Sequence, residues 1–123
     1  MDKLLVVEDD THHAALLKQE LEEVGYKIIL ASDGNEALQR IKEHTIDLVV
    51  LDIRMPGMDG VELLGRILAL DRTLPVIIHS AYSNYKDNFL TWAADHYVVK
   101  SSDLSALKSK IQETLRQRKQ AAL

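Results

Sequence analysis

Short, uninterrupted apolar runs alternate along the chain with longer segments in which apolar residues recur every three or four positions. The runs are residues 4–7, 28–30, 48–51, 76–78 and 97–99. None alternates polar with apolar, as a strand with one wet face does. Continuous β-branched runs of this length are the pattern of strands buried on both faces, as in a parallel sheet. The intervening segments have helical spacing. Ala14, Leu17, Leu21 and Val24 step by three and four, and Gly25 follows as a stop. Ser32 is placed to cap a helix carrying Ala37, Leu38 and Ile41, and Asp59 one carrying Leu63, Leu64, Ile67 and Leu68. Leu104, Leu107, Ile111 and Leu115 mark a last helix, with Ser102 or Asp103 as its cap. The segment 84–94, with Phe89, Leu90 and Trp92, has the loosest pattern, and a short helix is expected there. Strands alternating with helices in this way predict an α/β fold. It is a single doubly wound (βα)5 domain, with right-handed crossovers and helices on both faces of a parallel five-stranded sheet. Pro75 falls at the start of the fourth strand, where a missing N–H is tolerated.

Composition narrows this further. A chain of 123 residues with 46% hydrophobic content suits one compact domain, 1–123. Its sheet and helices are expected over about 3–118, followed by a short C-terminal tail. The balance of 19 acidic and 15 basic residues gives a net charge of −4, which lacks the basic footprint of nucleic-acid binding. The local cluster Arg116-Gln117-Arg118-Lys119 reads as the solvated end of a helix, where cations suit the helix dipole. Cysteine is absent, which excludes disulfides and thiolate metal sites. No apolar run is long enough to span a membrane or serve as a signal peptide, and a cytoplasmic location is expected.

In an open α/β sheet, ligands bind beyond the carboxyl ends of the strands. There the chain places Glu8, Asp9 and Asp10 after the first run, and Ser32, Asp33 and Gly34 after the second. The third ends in Asp52, the fourth in His79, Ser80 and Ala81, and Lys100 follows the fifth. Carboxylates gathered within a few ångströms repel one another and resist desolvation, so they call for a cation. Oxygen donors without Cys or His select a hard ion such as Mg²⁺. A carboxylate beside such an ion and an ammonium is a favourable acceptor for a phosphoryl group, because that transfer depends on positioning and on positive charge around the oxygens. Asp52 is the natural nucleophile, Lys100 the point charge and Ser80 a hydroxyl donor.

Several segments together resemble the bacterial two-component response-regulator receiver domain. They are Val6-Val7-Glu8-Asp9-Asp10, the stretch from Asp47 through Leu51-Asp52-Ile53-Arg54-Met55-Pro56-Gly57 to Gly60, Ile77-Ile78-His79-Ser80-Ala81, and Ala94-Asp95-His96-Tyr97-Val98-Val99-Lys100. The resemblance runs from Lys3 to about Arg118, with its motifs in order. It implies a flavodoxin-like strand order 2-1-3-4-5. It further implies that Asp52 accepts phosphate from a sensor histidine kinase or phosphotransfer protein, that Asp9 ligates Mg²⁺ directly with Glu8 helping through water, and that the Arg54 carbonyl is a further ligand. Lys100 and Ser80 would bind the phosphoryl oxygens, Ala81 would stay small so that its amide can approach, and Tyr97 would change rotamer with Ser80. An output partner or domain would read the face made by the fourth helix, fifth strand and fifth helix, with room for a phosphorylation-dependent homodimer. Such a domain is a signalling phosphoacceptor, not an enzyme acting on other molecules. Arg54 and Tyr82 lie where related receivers tune the lifetime of the aspartyl phosphate. Two positions depart from the usual pattern: Glu8 stands where Asp is common, and Ser101 where proline follows the lysine, so a trans Lys100–Ser101 bond is expected.

Other readings are weaker. Asp10 and Asp33 suit helix starts better than ligation, and the neighbouring His12 and His13 point apart on a helix, as surface residues. His79, at the end of a buried strand, reads as packing. A haloacid-dehalogenase-type phosphatase needs a second Asp two residues after the nucleophile, where this chain has Arg54. A nucleotide- or flavin-binding domain needs a glycine-rich loop where Glu8-Asp9-Asp10 would repel phosphate. A degenerate receiver acting only as an interaction module is the remaining alternative, and the filled acidic, hydroxyl and lysine positions count against it.

Overall fold

The computed structural model describes residues 1–52, 60–81 and 94–121. In chain order these hold β1 (Lys3–Val7), α1 (Thr11–Val24), β2 (Lys27–Ala31), α2 (Gly34–Glu43), β3 (Leu48–Leu51), α3 (Gly60–Leu70), β4 (Val76–Ser80), β5 (His96–Val99) and α4 (Ser105–Ala121). All strand pairings are parallel, in the order β2-β1-β3-β4-β5. This is the doubly wound sheet expected from the alternating apolar runs. The expected fourth helix, over 84–94, lies outside the described residues except for Ala94, as does the expected cap Asp59, so α4 is the helix expected as the fifth.

The continuous apolar runs are explained by two cores. Successive strand residues point to opposite faces of a sheet. On one face Leu5, Val7, Val49, Leu51, Val76 and Ile78 pack with Ala37 of α2 and with Leu63, Leu64 and Ile67 of α3. On the other, Leu4, Val6, Leu48, Val50 and Ile77 pack with Leu17 and Leu21 of α1 and with Leu107, Ile111 and Leu115 of α4. Each fully buried Leu or Ile contributes about 1.5–3 kcal/mol. A single charge on Val50 or Ile77 would therefore cost more than several surface contacts supply.

Local signals set the helix ends. Asp10 caps α1, its carboxylate accepting the backbone N–H groups of His12 and His13 at 3.0 and 3.1 Å. Gly25 closes α1 at φ 117°, a left-handed conformation that only glycine adopts without strain. Helix α2 is capped by Asp33, whose Oδ1 accepts the Glu36 N–H at 2.8 Å, and not by Ser32 as the sequence suggested. The carboxylate one residue later sits at the first non-helical position, and Ser32 lies outside the helix. Before α4, Asp103 accepts the Ser105 N–H at 2.9 Å. The basic end of α4 is anchored more than a solvated terminus would be: Arg118 donates to the Asp47 carbonyl and Lys119 pairs with Asp2 at 3.0 Å.

Candidate functional site

Strand register fixes which side chains meet. Val7 of β1 pairs with Leu51 of β3, so Glu8 and Asp52 are the next residues on adjacent strands. Their backbones continue the ladder for one more step: the Asp52 N–H donates to the Val7 carbonyl at 3.1 Å and the Glu8 N–H to the Ala31 carbonyl at 2.9 Å. On the far side Ser80 pairs with Val99, and the Lys100 N–H donates to the Ser80 carbonyl at 2.7 Å. The two-residue alternation then selects a face. Residues 4, 6 and 48, 50 point toward α1 and α4, as do 77 and 98. Glu8, Asp52, His79 and Lys100 continue these series, and together they line one small recess with Val6, Leu17 and Val50.

The recess is charged and nearly closed. Glu8 is 3% exposed and Asp52 7%. The Lys100 ammonium bridges them, 2.8 Å from Glu8 Oε1 and 2.9 Å from Asp52 Oδ2. Burial pulls the Lys100 ammonium toward the neutral form, but the two carboxylates more than offset it and the net shift is upward. Glu8 moves up as well. Burial is the largest cause, the neighbouring Asp52 carboxyl adds to it, and Lys100 and His13 only partly oppose it. Asp9 is exposed at the rim, where its carboxylate joins those of Glu8 and Asp52 with one oxygen from each within 4.8 Å of the others.

This donor set fits a hard divalent cation. It offers only carboxylate oxygens, from two buried residues and one exposed residue. Among the described residues Glu8 Oε2 is buried with no hydrogen-bond partner, an arrangement that costs free energy unless something positive meets it.

The remaining expected residues fall on both sides of the sheet end. Ser80 is completely buried at the end of β4, and Ala81 follows in an exposed bend. Tyr97 lies on the opposite face from Lys100, half-buried against the core formed with α2 and α3. The Lys100–Ser101 peptide is trans, no cis bond occurring among the described residues. Arg54 and Tyr82 lie outside the described residues.

Two histidines join the site: His79, read as packing at the end of a buried strand, is buried there as expected, whereas the reading of His13 was wrong. His13 is not a surface residue: its Nδ1 donates to Glu8 Oε1 and its ring stacks on His79 with centroids 5.6 Å apart. The signal was present in the cap. With Asp10 as N-cap, His13 is the third helical residue, and side chains there tilt back toward the helix N-terminus, where Glu8 lies. His79 is 2% exposed, and its pKa falls to about 4. Burial is the main cause, and the charges of His13 and Lys100 act in the same direction.

A family-wide comparison matches residues 4–112 to the "Response regulator receiver domain". Among curated proteins, the transcriptional regulatory protein ZraR of Escherichia coli (strain K12) is 37% identical over 115 residues, which cover 91% of this chain and 26% of that protein. The response regulator ArlR of Staphylococcus saprophyticus is 34% identical over 125 residues, covering all of this chain and 56% of ArlR. The chain thus spans about a quarter to a half of the length of such relatives. Among solved structures, the response regulator TrrA of Thermotoga maritima in complex with Mg²⁺-BeF is 43% identical with a TM-score of 0.90, covering 93% of this chain and 99% of TrrA. TrrA in complex with the histidine kinase ThkA superposes with a TM-score of 0.89 over 94% of this chain and 99% of that one.

Proposed function

Because the chain belongs to the response-regulator receiver domain family, we propose that it is a phosphorylation switch whose acceptor is Asp52, supplied by a histidine kinase or phosphotransfer protein. The observation that carries the assignment is the Asp52 carboxylate itself: nearly buried, 2.9 Å from the Lys100 ammonium, and within 4.8 Å of the Glu8 and Asp9 carboxylates. Its relatives TrrA with ThkA and TrrA with Mg²⁺-BeF support the choice of partner and cation.

In the reaction an Asp52 oxygen attacks phosphorus in line. The P–N bond to the partner's phosphohistidine breaks as the P–O bond forms, and the released imidazole nitrogen keeps the electron pair and takes a proton. Glu8, Asp9 and Asp52 would hold Mg²⁺, with the Arg54 carbonyl as the ligand the family resemblance adds. Bound there, the ion supplies positive charge to the phosphoryl oxygens. Lys100 already spans the acceptor and its neighbour, so it orients Asp52 and meets the charge that develops beside it. Ser80, buried one strand away, donates its hydroxyl to a phosphoryl oxygen, and Tyr97 on the far face follows it. The Ala81 amide approaches the same group. The switched face is then the one expected from the fourth helix, over 84–94, with β5 and the helix described here as α4, where a partner or output domain docks. No nucleic acid is bound by this segment itself, consistent with the net charge of −4.

The test is intact mass spectrometry after incubation with acetyl phosphate and Mg²⁺. One added phosphoryl group is expected on the wild type and none on Asp52→Asn. Equal labelling of both would overturn the assignment. Absence of any label, with partner binding retained, would instead favour a phosphorylation-independent interaction module.

A further inference from the structure

We propose that His13 is a positioning residue for the cation site: it holds Glu8 Oε1 so that Oε2 stays directed to the metal while Lys100 is free to move to the phosphoryl group. This rests on the reading of Asp52 as phosphoacceptor and extends it to a residue outside the acidic cluster.

Donors to the buried carboxylates are in short supply. Glu8 Oε1 accepts from two groups, Lys100 Nζ at 2.8 Å and His13 Nδ1. Lys100 serves two carboxylates at once, because it also donates to Asp52 Oδ2 at 2.9 Å. Once Asp52 carries a phosphoryl group, the charge that attracts Lys100 lies on that group's oxygens. Any shift of the ammonium toward them withdraws a donor from Glu8, which is buried and already has one oxygen, Oε2, without a partner among the described residues. A glutamate with neither donor would have a free choice of rotamers for its three side-chain torsions, and Oε2 would no longer be aimed at one point. His13 removes that freedom because it does not depend on the occupancy of Asp52.

The ring is itself fixed from both sides. Asp10 accepts the His13 backbone N–H at 3.1 Å, which sets the start of α1 and places the side chain over the recess. The ring then lies on the buried His79 ring, at a centroid distance of 5.6 Å and an interplanar angle of 27°. His79 is closed in at the end of β4 and acts as a flat platform beneath it. Groups that orient a metal's ligands in this way change metal affinity about 10–100-fold when removed. The geometry also explains why a glutamate suits position 8 of this chain. An aspartate carboxylate, one methylene shorter, would fall short of Nδ1.

The experiment measures Mg²⁺ affinity of the unphosphorylated full chain by isothermal titration. The proteins compared are wild type, His13→Leu, His13→Asn, Glu8→Asp and the double variant Glu8→Asp with His13→Leu. Thermal unfolding of each confirms folding. His13→Leu keeps the ring's approximate volume but has no donor; an incoming Mg²⁺ repels the Lys100 ammonium from Glu8, so Oε1 is then held by nothing and Mg²⁺ affinity should fall about tenfold. His13→Asn places an amide nitrogen near the position of Nδ1 and should recover most of that loss. With Glu8→Asp in place, His13→Leu should change nothing further. An equal loss in both backgrounds, a His13→Asn no better than His13→Leu, or no loss at all would overturn the role of His13. The two readings fail separately. Wild type that binds Mg²⁺ and takes one phosphoryl group, with His13→Leu binding as tightly, removes only the role of His13. Wild type that neither binds Mg²⁺ nor is labelled removes the Asp52 assignment and this inference with it.

Discussion

His79 gives the fold a sensitivity to acid that can be calculated from its surroundings. Its pKa is pushed from the usual 6.5 to about 4, chiefly because burial disfavours the charged ring and because His13 and Lys100 lie near it. In the unfolded chain the same residue takes up a proton at its ordinary pKa. Between those two values the unfolded state therefore binds more protons, and stability falls as pH falls. The contribution is intact above pH 6.5, declines from there, and is gone below about 4. The full gap corresponds to about 3 kcal/mol. Glu8 acts in the opposite sense: its raised pKa favours folding at low pH, and that benefit is lost as pH rises through its folded value. A raw pH curve mixes the two, so the comparison must be with a variant lacking only the histidine. His79→Leu is close in volume, and its pH-independent packing cost cancels in the difference. Urea unfolding of both proteins at pH 7.5 and 4.5 should show the wild type losing about 2–3 kcal/mol more than the variant. Parallel losses would show that His79 is not held neutral by its site, and the account of the recess as a desolvated pocket would fail with it.

Three further outcomes are expected. Lys100→Met leaves Glu8 and Asp52 facing each other without a cation, and should lower stability at neutral pH by about 2–3 kcal/mol, part of which millimolar Mg²⁺ restores; urea curves unchanged by the substitution would refute the bridge. Gly25→Ala forces a side chain into the left-handed region at φ 117° and should cost about 1–2 kcal/mol, read as a lower urea midpoint, although nothing lies within 4 Å to clash with it. The phosphorylated protein should persist for minutes to hours after donor removal, because neither Arg54 nor Tyr82 offers a carboxylate or amide to orient an attacking water; Arg54→Asn with Tyr82→Glu should speed the decay, and an unchanged or slower rate would exclude these side chains as guards.

The sheet was legible because burial on both faces is a strong constraint. Strand residues 4–7 and 48–51 each feed two cores, so no position in them tolerates a polar side chain, and the resulting runs cannot be mistaken for amphipathic strands. Helix faces were legible for the same reason, since Leu17, Leu21, Leu107, Ile111 and Leu115 must all reach the sheet. The ends were less so. Ser32 and Asp33 are both good caps, and only the backbone geometry, with the Glu36 N–H meeting Asp33, separates them. The tail of α4 read as solvated because sequence carries no sign that Asp47 and Asp2 lie beneath Arg118 and Lys119.

The acidic cluster could be read from sequence because each member falls within two residues of the end of a recognisable strand, and parallel register then brings the members together. His13 follows no strand and lies on a helix, where periodicity assigned it to the surface. Its placement depends on a product of three local facts: where Asp10 stops the turn, how far the side chain tilts back along α1, and the length of Glu8. An aspartate at position 8 would leave the same histidine without its carboxylate partner, so neither residue carries the signal alone. A pair of this kind has one member on a strand end and the other in the first turn of the following helix, and neither belongs to the apolar pattern that marks the sheet. The acidic residues proposed to hold a cation can therefore be read from the strand ends, while the group proposed to aim Glu8 cannot.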